Sequence, residues 1–229
     1  MTRPNQIASG NGAVALLFQS TLLPRRARAF TLGASAMSPN KLEFPVVYYD
    51  GKAYFLEPND NFSWTHFGGP CEMTFTGPGS NPHFLHHILT LHADVIPSLA
   101  YPGSEVPLFY GMQYDGCVLS YRVLKSYHCK IVKLDPREAE ADYPYPDYPR
   151  LLPHIPLRLA RRTNCTAKQF AKLAWQGLDI KPKTLAVIVP PIYTCGVSMW
   201  GKWGDAEGVQ IIFECDLEKQ TIKASNQCT

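Results

Sequence analysis

Nothing in the 229-residue chain approaches the roughly 18 consecutive apolar residues of a membrane-spanning helix. The block Leu185-Ala186-Val187-Ile188-Val189 ends at Pro190-Pro191, so no membrane association is expected. Acidic residues are missing from residues 1–42, which hold Arg3, Arg25, Arg26, Arg28 and Lys41. The chain has 22 basic and 19 acidic side chains, so with those five set aside residues 43–229 keep 17 basic against 19 acidic. A nucleic-acid partner held by a broad basic face is therefore disfavoured. No two cysteines stand at CxxC spacing, and seven cysteines at irregular intervals do not form a secreted disulfide framework. Reduced, mostly buried thiols in a cytoplasmic protein are expected.

Catalytic signatures are absent as well. There is no HExxH and no GxSxG. Residues 201–208 contain glycines and a lysine, but their spacing fits neither a P-loop nor a dinucleotide fingerprint, and Asp205 and Glu207 sit where an anion would bind. The sequence implies no cofactor.

What is plentiful is proline, 20 residues, and aromatics, 12%. That composition favours short strands and turns over a helical bundle. The expected class is α+β and β-rich, with one or two short helices. The Arg-bearing, acid-free opening segment, residues 1–42, has the composition of an organellar transit peptide, which would make the protein mitochondrial; the alternative is an unstructured leader. Residues 43–229 are expected to form a single domain.

Residues 46–49, Asp50-Gly51 and residues 52–56 read as a tight hairpin. Residues 106–112 and 117–124 read as a second hairpin around residues 113–116, with residues 127–134 as a third strand. Residues 61–80, dense in Gly, Pro, Asn and Thr, read as loop. Residues 142–156, rich in Tyr and Pro, read as an extended connector between halves at about 43–140 and 157–229. A helix is expected over residues 167–176, capped by Thr166 with Gln169 completing a capping box and Gly177 closing it. Residues 185–189 and 208–214 read as strands. The strand pair near residues 85–88 and 108–110 is echoed near 186–189 and 211–213, which suggests two related antiparallel halves, an internal duplication.

The histidine cluster His83, His86, His87 and His92 is the principal candidate site. On a helix, His83 and His87 lie one turn apart, as metal ligands do. On a strand, His86 and His92 point one way and His87 the other, and a structural role follows. A metal-binding or hydrolytic enzyme built on His83, His86 and His87 is thus one alternative. A mitochondrial assembly subunit, from the leader, is another.

The order of motifs resembles a known family. Thr65-His66-Phe67-Gly68-Gly69-Pro70, then Pro82-His83-Phe84-Leu85-His86-His87-Ile88, Ile96-Pro97, Tyr101-Pro102 and Leu108-Phe109-Tyr110 are similar to the amino-terminal half of the bacterial YwqG-like family. Met199-Trp200-Gly201-Lys202-Trp203-Gly204-Asp205-Ala206-Glu207-Gly208, with Asp216-Leu217 and Cys228-Thr229, is similar to that family's closing motif. His86-His87 replaces its usual Ala-Gln, and Glu207 is inserted before Gly208. The resemblance, over residues 62–229, implies a β-rich fold of two related halves with residues 84–91 as a strand. It implies no catalytic residue and no metal, and it points to a non-enzymatic module, with the immunity type as one form, that binds an unidentified protein partner. His66, Gly68, Gly69, His86, His87, Trp200, Trp203 and Asp205 are the partner-binding candidates on this reading.

Overall fold

A computed structural model describes residues 42–78, 85–97, 99, 104–112, 114, 116–124, 128–137, 151–192 and 209–228, all of which fall in one unit, Met37–Thr229. Leader residues 1–41, connector residues 142–150 and residues 199–208 of the closing motif lie outside the described residues.

The Asp50-Gly51 hairpin forms as expected. It joins β1 (Val46–Tyr49) to β2 (Lys52–Pro58). Asp50 and Gly51 both adopt left-handed φ, 48° and 69°, which a tight hairpin turn requires and which Asp and Gly tolerate. Along the chain follow β3 (His66–Phe67), β4 (Thr74–Thr76), β5 (His86–His92), β6 (Glu105–Tyr110), β7 (Gly116–Leu124) and β8 (His128–Arg137). Next come β9 (Ile155–Asn164), α1 (Ala167–Ala171), β10 (Thr184–Val189), β11 (Val209–Asp216) and β12 (Thr221–Cys228). The protein is strand-rich, with one short helix among the described residues.

All twelve described strands join one sheet in the order β4-β8-β7-β12-β11-β10-β1-β2-β9-β3-β5-β6. Every neighbour is antiparallel except β4 on β8, so the sheet is mixed. Central strands are buried on both faces. In β10, Leu185, Val187 and Val189 enter the larger core while Ala186 and Ile188 enter a smaller one, because alternate side chains leave opposite faces of a strand. The two ends of the sheet fold toward each other over the larger core. Phe109 of β6 meets Phe75 of β4 and Tyr121 of β7 edge to face, at 5.0 and 5.9 Å.

The second face is closed by α1. Thr166 accepts the Gln169 amide and the Gln169 side chain accepts the Thr166 amide, the capping box read from the sequence. Fully burying Phe170 stabilises this face by about 2 kcal/mol, which an isolated five-residue helix cannot supply by itself. The helix is shorter than the expected 167–176. After Ala171 the backbone tightens to three-residue bonds, Leu173 to Phe170 and Ala174 to Ala171. Buried Gln210 holds that conformation by donating to Leu173 O and accepting from Trp175 N.

Three further expectations are corrected. The expected 106–112 and 117–124 strands form, as Glu105–Tyr110 and Gly116–Leu124, but not as a hairpin: β6 bonds to β5, whereas β7 lies between β8 and β12. The 61–80 loop contains β3 and β4. The part of the connector from residue 155 onward is the start of β9. Of the echoed pairs, β5 with β6 and β10 with β11 are each antiparallel neighbours.

Candidate functional site

β3 is wedged between β5 and β9, and this insertion assembles the site. His66 pairs with Thr90 on one side and Pro156 on the other. The chain then turns at Gly68 and Gly69, both with positive φ. A Cβ on Gly68 would strike the Pro153 carbonyl, and one on Gly69 would press 2.7 Å from the His154 ring. Their amides donate to Ile88 O and Leu152 O, at 2.9 and 3.0 Å. Both glycines are thus required for a close crossing of backbone, which is sufficient reason for their presence.

The crossing gathers three imidazoles. The ring of His66 lies 5.3 Å from that of His87 and 4.7 Å from that of His154. His87 is buried. Its Nδ1–H donates to Gly69 O at 3.4 Å, so its Nε2 is the acceptor for the Thr90 hydroxyl at 2.8 Å. A bulge at Ile88 makes the second bond possible: the ladder passes from His87↔Phe109 to Leu89↔Leu108, which turns His87 and Thr90 toward each other. Burial pushes the His87 pKa down to about 4, and the neighbouring His66 pushes the same way. The His66 pKa is lowered chiefly by burial, against its bond to Trp64 O. A neutral His87 with both nitrogens engaged is a packing element, poorly suited to proton transfer near neutral pH.

Among the described residues no three His, Cys, Asp or Glu side chains converge to hold a metal ion. His86, expected beside His87, is likewise buried in β5, opposite Tyr110. His83, Trp200, Trp203 and Asp205 lie outside the described residues. Among the described residues thiol nucleophiles are no better placed. Burial pushes Cys117 and Cys129 up to about 12 and raises Cys215 and Cys165 too; Cys71, although exposed at its surface, has its thiol raised by partial desolvation. A nucleophilic cysteine needs the opposite shift.

A feature missed in the sequence adjoins the cluster. From Phe62 to Thr65 the chain alternates with inverted polarity: Ser63 and Thr65 are buried, whereas Phe62 and Trp64 are 71% and 55% exposed. The cause is Asp94, in the turn after β5. Its two carboxylate oxygens accept the Thr65 hydroxyl at 2.8 Å and the Ser63 hydroxyl at 3.2 Å. The Thr65 hydroxyl oxygen also accepts the His92 amide. With both hydroxyls drawn inward, the two aromatics stand outside, edge to face at 4.8 Å, with Trp64 5.9 Å from the His92 ring. The only advance signal was the Phe-Ser-Trp-Thr alternation itself, set in a segment whose composition reads as loop.

Elsewhere a cleft of about 630 Å³ lies at the end of the sheet between the β1–β2 turn and the starts of α1 and β10. Tyr48, Ile180 and Leu217 line it, and Lys183 and Glu218 pair at 2.6 Å on its wall. Asp50, Gly51 and Leu217, named in the sequence for turn and motif, line it, but His66, Gly68, Gly69, His86 and His87 do not. No helix among the described residues is long and apolar enough to cross a membrane. No family model matches the chain, and no curated protein or solved structure shows significant similarity to it.

Proposed function

We propose that this chain is a non-enzymatic protein-binding module of the YwqG-like kind, built from two related halves, and that Phe62 and Trp64 anchor its partner. The observation that carries this reading is the inverted polarity of residues 62–65. Exposing two large aromatics while burying two hydroxyls sacrifices apolar burial. Rigid, exposed aromatics are the side chains that dominate protein interfaces once a partner dries them. The raised thiol pKa values and the fully engaged His87 support a role other than catalysis. The duplication rests on the echoed strand pairs and on the motif order quoted above.

The experiment is photo-crosslinking from position 62 or 64 in the native cell, followed by identification of the adduct and measurement of its affinity. One specific partner is expected, its affinity falling at least about tenfold in the Phe62→Ala, Trp64→Ala double variant. Turnover of an ester, phosphoester or peptide substrate that disappears on changing one histidine or cysteine would overturn the proposal.

A further inference from the structure

Among the described residues β9 presents an open edge. It bonds to β2 along its length, from Leu157↔Pro58 to Asn164↔Lys52. On its other side it meets β3 only at Ile155 and Pro156, after which the Leu157 amide donates to Thr65 O. From residue 159 to 164 that side has no strand partner among the described residues. Arg158, Leu159, Ala160, Arg161, Arg162 and Asn164 are all exposed. Successive residues of a strand alternate the direction of their backbone groups. With the Leu157 amide on Thr65 O and the Leu56 amide on Pro45 O, the ladder to β2 falls to Arg158 and, past the irregularity opposite Phe55 and Leu56, to Arg161 and Thr163, so Leu159, Arg162 and Asn164 turn their amides outward, whereas the Asn164 carbonyl accepts the Thr163 hydroxyl.

The side chains on this edge are basic. Arg158 is held by Glu57, at 2.8 Å from its Nη2, and the Arg161 guanidinium lies 3.8 Å over the Phe55 ring. Arg162 stands opposite Tyr54. Arg161 and Arg162 enter no ion pair among the described residues. Trp64 is next along the chain from Thr65, the last residue of that segment bonded to β9, so the aromatic pair lies where the open edge begins.

We propose, resting on the protein-binding reading above, that the β9 edge accepts an extended acidic segment of the partner as an added strand. Amides and carbonyls that find no strand partner among the described residues supply the ladder, and the arginines select the charge. A second copy of this chain is the poorer occupant, since pairing β9 with β9 sets arginines against arginines.

The test uses the full chain and a short fluorescent peptide alternating glutamate with valine, read by anisotropy, with chemical-shift mapping of the Leu159, Arg162 and Asn164 amides. Saturable binding that weakens with salt, with shifts confined to those amides, is expected. A control peptide with proline at its centre should bind at least about tenfold more weakly, because proline removes a ladder donor. The Arg161→Glu, Arg162→Glu variant, folded by circular dichroism, should lose the glutamate peptide and gain its lysine counterpart. Equal binding of the proline control, tighter binding of a single-stranded oligonucleotide, self-association abolished by that variant, or no binding would each overturn the inference. If the crosslinked partner persists while the peptide fails, only the edge is refuted; if both fail, so is the binding reading.

Discussion

The hydroxyl of Tyr121 on β7 accepts the backbone amide of Phe109 on β6 at 2.9 Å, and it donates to Pro107 O at 3.0 Å. One side chain thus occupies a donor and an acceptor that a neighbouring strand would otherwise take. β6 is the last described strand at its end of the sheet, and this bond fastens it to β7, which lies near the opposite end. Replacing Tyr121 with Phe keeps the ring and strands both backbone groups in a buried site. Urea unfolding of Tyr121→Phe should show a loss of about 1–3 kcal/mol.

His87 makes stability depend on pH. Its folded pKa of about 4 lies below the ordinary value of 6.5, so between those values the unfolded chain binds a proton that the folded chain does not. Stability is complete above about pH 6.5 and falls as the pH drops toward 4, by up to about 3 kcal/mol. His66, shifted in the same direction, adds to the slope. Urea midpoints measured across this range should show the decline, and His87→Gln should flatten it.

At Gly68 the left-handed φ of 60° and the approach of Pro153 act together. Gly68→Ala should cost about 2–4 kcal/mol, well above an ordinary surface change. At Gly69 the neighbour is the His154 ring, which can move more easily than a carbonyl. Denaturation of the two alanine variants should therefore rank Gly68→Ala as the more damaging.

Thiol reactivity should follow burial. Cys71 is exposed, whereas Cys117, Cys129, Cys165 and Cys215 are buried. Of these five, iodoacetamide at mildly alkaline pH should label Cys71 first. Cys117, Cys129 and Cys215 should react only after denaturant is added, as peptide mass mapping will show.

Phe62 and Trp64 contribute little to the fold by this geometry. Phe62→Ala and Trp64→Ala should each change unfolding stability by only about 0.5 kcal/mol. Thermal melts alongside the binding measurement separate a damaged surface from a damaged fold. A large loss of stability would make the pair a packing element.

Legibility in the sequence followed how local each cause was. Asp50-Gly51 and Thr166 with Gln169 act through neighbouring residues, and both turn and cap were readable. The β6–β7 hairpin was not, because β6 found β5 and β7 found β12, partners that no turn residue announces. β9 was hidden by Pro156 and by Arg158, Arg161 and Arg162, which erase the apolar alternation that marks a strand. At the candidate site, His66, Gly68, Gly69 and His87 were singled out and do come together. The bulge at Ile88, which swings His87 onto Thr90, left no mark in the periodicity. The exposed aromatics escaped notice because their exposure originates at Asp94, some thirty residues downstream.

The order of strands also constrains when this protein acquires its shape. β1 lies between β2 and β10, with Val46 opposite Ile188. β7 lies between β8 and β12, with Leu119 opposite Ala224. During synthesis, therefore, the earliest described strand keeps one bare flank until β10 has been made. The pairing of β7 cannot be completed before β12, the last described strand, emerges. Such distant pairings slow folding, and until they form, the apolar faces of β1 and β7 are accessible to chaperones and to other nascent chains.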